Sequence, residues 1–408
     1  MKSESCNKNK SRRDLNHNSS FLIPHSPLPF IPQSSLSLYF HIPFCASKCA
    51  YCDFASFPGR EGEWGQYFEA LWGEMEGWKG ELSGRDVATV FFGGGTPTLV
   101  EAGYIEETLA RARRIWPFAP DAEITLEGNP GTLTPQKLAI YRQAGVNRLS
   151  MGAQSFDDGL LQSLGRIHTA AQVGEAVRMA RDAGFSNINL DLMYALPGQS
   201  MAQWRDTLEA ALGLGVPHIS AYSLIVEEGT PMAARVARGE AVVPDDDAVN
   251  ALQREAVSRL AAAGLARYEI SNYARLGFEC RHNLVYWNRG DYLGLGSAAH
   301  SLVDGVRFSN PAALDAYLAG QRRLDQQRLT AADAMEETLM LSTRTTRGLD
   351  LAAWSAAFGA PFERGREAAL AKLGQSGFIE ISDGFLRLTP RGMEVQDAVV
   401  LELMEADE

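Results

Sequence analysis

A chain of 408 residues is too long for one compact domain of ordinary size and long enough for two or three. Its 45% hydrophobic and 22% charged residues fit a folded globular protein and exclude a fibrous or wholly disordered chain. With 38 Lys+Arg against 50 Asp+Glu the net charge is -12, which argues against general nucleic-acid binding, because phosphate neutralisation needs clustered cations.

Residues 1–34 are rich in Ser, Asn, Lys and Pro and show no helical or strand period, so a disordered leader is expected. The apolar patch inside it, from Phe21 to Pro32, carries four prolines and cannot form the helical core of a secretion signal. No apolar run of about 18 residues occurs anywhere, so no membrane span is predicted and the chain is expected in the cytoplasm.

From Ser35 apolar, β-branched or aromatic runs recur at 36–42, 88–92, 122–126, 146–151, 187–192 and 218–224. Helical patterns lie between them, at 135–144, 170–183 and 201–214. A helix-length segment between successive strands forces parallel pairing. Residues 35–243 are therefore predicted to form an α/β fold, a partial (β/α)6 barrel with its site at the C-terminal ends of the strands.

Residues 244–328 open with a helix over 246–263, continue through a strand-like stretch at 267–273, and then read as a loop rich in Gly, Asn and aromatics to about Ser301. Residues 329–408 shift to Ala, Leu and Glu. Helices at 334–342, 351–358 and 363–376 precede short strands at 378–381 and 385–388 around an Asp383-Gly384 turn, which reads as a winged-helix-like α+β domain. From Thr330 onward seven Lys+Arg face fourteen Asp+Glu, so this domain is expected to pack or contact protein rather than bind DNA. A zinc-stabilised winged-helix regulator is disfavoured on the same ground.

The five cysteines are Cys6, Cys45, Cys49, Cys52 and Cys280, an odd and sparse set unlike a disulfide framework. Three of them fall in the loop after the first predicted strand, with the spacing C-x3-C-x2-C. Three thiolates this close can wrap one small inorganic centre. A [4Fe–4S] cubane ordinarily takes four cysteines, so three would leave one iron open, much as catalytic zinc keeps one position open. Buried free thiols are one alternative. Zinc with His41 as fourth ligand is another, although His41 would have to point back over the loop.

The cysteine spacing, with an aromatic before the last cysteine, resembles the signature of the radical S-adenosylmethionine (SAM) superfamily. The resemblance implies that Cys45, Cys49 and Cys52 hold a [4Fe–4S] cluster whose open iron binds SAM, and that an electron from the cluster cleaves SAM to a 5′-deoxyadenosyl radical. It further implies that SAM is contacted by Tyr39 and Tyr51, by Gly94, Gly95 and Thr96 of Gly93-Gly94-Gly95-Thr96-Pro97, and by Glu127, Gln154, Arg166 and Asp191 near predicted strand ends. Ile225, after the sixth strand, would flank adenine. The residue types agree with those roles: glycines let a ligand approach the backbone, carboxylates accept from hydroxyls or an ammonium, and arginine pairs a carboxylate. For any one of these residues a surface salt bridge is the plain alternative. Their joint placement at successive strand ends argues against it.

Within the superfamily the chain is similar, from about Ser37 to Leu403, to the subgroup of oxygen-independent coproporphyrinogen III oxidase, and inside it to the heme-chaperone branch. Phe54 stands where the oxidase has a fourth cysteine, and only the leader precedes Leu36, where the oxidase has a longer ordered segment. Arg281-His282-Asn283-Leu284-Val285-Tyr286-Trp287 matches the H-N-x-x-Y-W motif of the chaperone branch. By this resemblance His282, Tyr286 and Trp287 bind heme, with imidazole as axial ligand and the rings packing the macrocycle. The implied partners are heme, an acceptor protein and an electron donor. The alternative activity is that of the oxidase itself, radical decarboxylation of a porphyrinogen. Cys280 reads as a buried small residue, and His300 as a weaker heme candidate in the same region.

Overall fold

The computed structural model describes residues 35–405. The expected leader, residues 1–34, and Cys6 with it, lie outside the described residues.

Six strands form the centre of a twelve-stranded sheet: β1 (Leu36–Ile42), β2 (Val87–Gly94), β3 (Phe118–Gly128), β4 (Arg148–Gln154), β5 (Asn187–Tyr194) and β6 (His218–Ser223). Each pairs in parallel with the next, as the intervening helices require. The helices Trp64–Gly77, Ala102–Ile115, Pro135–Ala144, Ala170–Asp182 and Met201–Gly213 connect them. Thr134 caps the third of these with Pro135 in its first turn, and Ser200 and Gln203 close a capping box on the last.

The strands alternate between two environments. In β1, Leu36, Leu38, Phe40 and Ile42 belong to the main apolar core, where Phe40 stacks on Phe92 with centroids 4.8 Å apart. The intervening residues Ser37, Tyr39 and His41 point the other way. They share that side with Thr89, Glu127 and Asp191, which gives the sheet a concave polar face. Ser37, His41 and Thr89 are buried on that face, and it opens as a cavity at the strand ends.

The sequence reading missed how the sheet continues. Residues after 273, read as loop to about Ser301, contain a helix, Arg281–Trp287, and a strand, Tyr292–Leu295, that pairs in parallel with β1. Antiparallel strands His300–Val303, Val306–Ser309 and Leu324–Arg328 extend that edge. At the other edge Asn272–Ala274 pairs antiparallel with β6 and with Ala266–Arg267. This stretch is interrupted by Gly and Asn, and its strands are held by pairing partners far along the chain.

A second apolar core gathers Leu339, Trp354, Phe362, Leu373, Leu386 and Leu403. Around it lie helices Ala331–Ser342, Leu351–Phe358 and Glu367–Gln375 and the hairpin Ile379–Ser382 with Phe385–Leu388. Asp383 and Gly384 both have positive φ, 53° and 79°, as a two-residue hairpin turn demands. A third strand, Leu349–Asp350, and two terminal helices, Pro390–Glu394 and Gln396–Glu405, add to the elements read from sequence. Among the described residues no helix is long and apolar enough to cross a membrane.

Candidate functional site

A cavity of about 370 Å³ opens at the C-terminal ends of the strands, a size suited to a small-molecule ligand. It brings together Cys45, Cys49, Tyr51, Cys52, Gly94, Gly95, Thr96, Glu127, Gln154, Arg166 and Asp191. These residues come from loops and strands spread over almost 150 positions.

The cysteine loop is pinned on several sides. Phe44–Cys45 pairs with Phe57–Pro58, and Gly95 and Thr96 donate their backbone N–H groups to Ile42 O and Phe44 O at 2.9 and 2.8 Å. Ala50 N donates to Leu164 O at 3.0 Å, and Met232 N to Ala50 O at 2.8 Å. The close approach at Gly95 tolerates no side chain, since a Cβ there would lie 2.7 Å from Phe44 O. Gly94 has φ +107°, and a Cβ on it would meet the His41 ring at 2.6 Å.

Cys45, Cys49 and Cys52 are free and half-buried. Among the described residues no three His, Cys, Asp or Glu side chains stand close enough to hold a single metal ion. His41 is also engaged: Nε2 donates to Ala55 O at 2.9 Å, which leaves Nδ1 to accept from the Tyr39 hydroxyl at 3.1 Å. The zinc alternative with His41 as fourth ligand is therefore overturned. Three thiols set around one cavity suit a larger inorganic group such as an iron–sulfur cubane.

Two carboxylates face the cavity. Glu127, at the end of β3, is pushed up to about 8 by burial, and the charge of Asp191 adds to the shift. Asp191, on β5, is raised by its own burial against the hydrogen bonds that hold it, from Asn189 Nδ2 at 2.8 Å and Ser150 Oγ at 3.3 Å. Both groups would gain from a cationic or hydroxyl-bearing ligand. Gln154 adopts φ +63° at a register shift between β4 and β5, which re-aims the backbone at the strand end. Arg166 bridges loop and barrel, with Nη1 3.6 Å from Cys49 Sγ and Nη2 donating to Gly152 O at 2.6 Å.

Ser150, Met193 and Tyr222 also line the cavity, and the sequence reading did not single them out. Their signal was alternation: Met193 stands two residues from Asp191, and Tyr222 pairs with Met193.

Five expected residues do not line the cavity. Tyr39 is half-buried behind Gly93, where a Cβ would lie 3.2 Å from its ring, and its hydroxyl serves His41. Ile225, expected to flank adenine, lies past the end of β6 and is 66% exposed. His282 is only 1% exposed. Its Nδ1 lies 2.8 Å from Thr89 Oγ1 and its Nε2 2.8 Å from the Tyr286 hydroxyl. Thr89 gives its own proton to Ser37, so Nδ1 is the donor and Nε2 accepts from Tyr286. Burial and the charge of Arg148 hold this ring neutral, pushing its pKa down to about 3. Trp287 packs beside Tyr268 and Leu284. The motif is thus a buried unit in this conformation, and no ring nitrogen of His282 is free for iron.

Glu123 on β3 anchors this unit. Its carboxylate accepts the backbone N–H groups of Arg281 and His282 at 3.1 and 3.0 Å and lies 3.7 Å from the Cys280 sulfur. Cys280 is fully buried and its thiol is pushed up to about 12. It lies outside the cavity that holds the other three described cysteines.

Comparison with known proteins gives concordant results. The radical SAM superfamily matches residues 39–211, and the HemN C-terminal domain matches residues 329–395. The chain is 38% identical over 389 residues to the heme chaperone HemW of Mycobacterium tuberculosis (strain ATCC 25618 / H37Rv), covering 92% of this chain and 96% of that protein. It is 34% identical over 362 residues to heme chaperone HemW of Bacillus subtilis (strain 168), covering 87% and 96%. Among solved structures, coproporphyrinogen III oxidase (HemN) from Escherichia coli superposes with a TM-score of 0.79 at 24% identity, covering 90% of each chain. That likeness establishes a shared fold.

Proposed function

The chain belongs to the HemW family of radical SAM proteins, and from that footing we propose that it is a heme chaperone, which carries a [4Fe–4S] cluster with SAM and passes heme to an acceptor protein. The observation that carries the proposal is the likeness to named heme chaperones along nearly the whole chain, at 38% identity over 92% of its length. Phe54 points the same way, since it occupies the position of the oxidase's additional cysteine and is 62% exposed at the cavity.

Cys45, Cys49 and Cys52 would hold the cluster. When bound, the cluster supplies a low-potential electron and an open iron position for the amino acid end of SAM. The chain's own residues then bind and orient. The Gly94–Gly95 backbone, with no side chain to intrude, and the Glu127 carboxylate receive the ammonium group. Arg166 is the partner for the SAM carboxylate. Asp191, already fixed by Asn189 and Ser150, accepts from ribose hydroxyls. Met193 and Tyr222 line the cavity and are better placed than exposed Ile225 to bound the adenine. Tyr51 and Thr96 brace the cysteine loop, Thr96 with its hydroxyl 3.6 Å from Cys45 Sγ.

His282, Tyr286 and Trp287 are proposed as the heme-responsive motif. Iron reaches His282 Nε2 once the Tyr286 hydroxyl withdraws from it. A cluster on free thiols suits a reducing compartment, and the cytoplasm is the proposed location. An electron donor is a further partner of the proposed cycle.

The test uses anaerobically reconstituted full-length protein in two parallel assays. Hemin titration is expected to give a shifted Soret band, and coproporphyrinogen III with reductant and SAM is expected to remain unconverted. Decarboxylation without heme binding would overturn the chaperone reading in favour of the oxidase.

A further inference from the structure

We propose that Glu337, on the C-terminal domain, is a positioning residue for heme transfer: its ion pairs with Arg289 and Arg307 latch the last turn of the H-N-x-x-Y-W helix, and iron gains His282 when the latch opens. The assignment rests on the heme-chaperone reading. Glu337 lies in the helix Ala331–Ser342. Its Oε2 accepts from Arg289 Nε at 2.8 Å, and its Oε1 lies 2.8 Å from Arg307 Nη2. One carboxylate thus ties the turn after the helix Arg281–Trp287, and the strand Val306–Ser309, to the C-terminal domain. The Glu337 side chain is 14% exposed and that of Arg289 20%, so water and salt screen this pair less than a surface bridge.

The backbone of that turn is unusual for an arginine. Arg289 N donates to Tyr286 O at 3.0 Å and Gly290 N to Val285 O at 2.8 Å, the two bonds of a Schellman helix end. Arg289 occupies its left-handed position, φ +52°, where glycine is the favoured residue. Arginine has no local advantage there, and its guanidinium acts at a distance, through Glu337. A second cation from the C-terminal domain holds the same turn: the Arg344 guanidinium lies over the Trp287 ring, 5.7 Å from its centroid.

The latched turn carries Tyr286. Its hydroxyl covers His282 Nε2 at 2.8 Å, and its ring meets Tyr292 edge-on with centroids 4.7 Å apart. His282 itself is fixed from the barrel side, by Thr89 at its Nδ1 and by Glu123 at its backbone N–H. The helix is therefore anchored at its start in the barrel and at its end in the C-terminal domain. Release of the end lets Tyr286 withdraw while Thr89 and Glu123 keep the imidazole in place. The domains stay joined without the ion pairs, since Thr346 N donates to Tyr268 O at 3.0 Å and Glu269 bridges to Thr345. The latch opens without undocking the domain.

The full chain is compared with Glu337→Gln, Arg289→Gly, their double variant and Arg289→Lys, by amide exchange over residues 286–290, stopped-flow hemin association and thermal melts. Glu337→Gln and Arg289→Gly are each expected to exchange these amides at least about threefold faster, as local opening requires. Each should also take up hemin at least about threefold faster, because a larger fraction of the chain is binding-competent. The double variant should add little, since both changes undo one contact. Arg289→Lys keeps the charge and should stay near the wild-type rate, which a loss of packing alone would not restore. Should Glu337→Gln fail to fold, Arg289→Gly carries the test, because glycine suits the turn. Wild-type hemin association in folded variants, with or without faster exchange, overturns the latch and leaves the chaperone reading standing. Wild-type protein that binds no hemin overturns that reading, and the latch with it.

Discussion

The Arg166 guanidinium reaches across the cavity to the cysteine loop, with Nη1 3.6 Å from the Cys49 sulfur while Nη2 donates to Gly152 O at 2.6 Å. Its Nε is buried without a protein partner and each Nη keeps a second N–H, so donors remain for a ligand's carboxylate. Arg166→Lys keeps the charge and loses the fork. SAM affinity of the reconstituted protein is expected to fall about tenfold or more, while iron content stays near wild type because all three thiols remain. Calorimetry and iron analysis check this together. Unchanged affinity would remove Arg166 from the SAM site.

The cysteine assignment predicts a brown protein with about four irons per chain after anaerobic reconstitution. Replacing Cys45, Cys49 or Cys52 by Ala should each abolish that iron. Cys280→Ala should retain it and lower stability by roughly 1 kcal/mol, the usual scale for trimming a buried side chain. Zinc at one equivalent with little iron would refute the cluster.

Glycine geometry predicts a graded pair. Gly95→Ala drives a methyl toward Phe44 O, 2.7 Å from the ideal Cβ position, and must displace the cysteine loop. A loss of about 1–3 kcal/mol and poor cluster retention are expected. Gly103, inside Ala102–Ile115, has nothing within 4 Å of its Cβ position. Gly103→Ala should therefore leave stability equal or raise it by up to about 1 kcal/mol. Thermal melts of the two variants provide the comparison, and equal losses would contradict it.

The pH dependence turns on Glu127. Burial, with Asp191 nearby, raises its pKa from 4.5 to about 8. The folded chain then holds this proton more tightly than the unfolded chain, so stability is highest below the unfolded value and is lost as pH rises from about 4.5 through about 8. The cofactor-free protein should melt at lower temperature at pH 8.5 than at pH 6, and Glu127→Gln should flatten most of that slope. A cationic ammonium favours the carboxylate, so SAM affinity should rise over the same interval. Identical melting slopes in wild type and Glu127→Gln would remove Glu127 as the source.

Burial of the H-N-x-x-Y-W unit predicts that His282→Ala is structural as well as functional. It leaves the Tyr286 hydroxyl without its acceptor and opens a hole beside Thr89 in a dry interior, and a loss of about 2–4 kcal/mol is expected. Denaturant unfolding of cofactor-free protein measures it, and a wild-type midpoint would show the unit to be more open than the structure has it.

Chemistry written into short windows was legible from the chain alone. The spacing of Cys45, Cys49 and Cys52, the Gly93-Gly94-Gly95-Thr96-Pro97 turn and the strand-end positions of Glu127, Gln154 and Asp191 are local patterns, and period-2 alternation with intervening helices implies the parallel barrel. What lay beyond such windows was misread. The strand Tyr292–Leu295 lacks a clear local signature and exists because β1 offers it an edge. His282 was expected, by resemblance, to ligate heme, and only the structure shows that Thr89, 193 positions away, takes one of its nitrogens. His300 looked weaker and is the one left exposed. Side-chain type and spacing are set residue by residue. Burial, register and the partner of each ring nitrogen are set only when the sheet curls and brings distant strands to a common face.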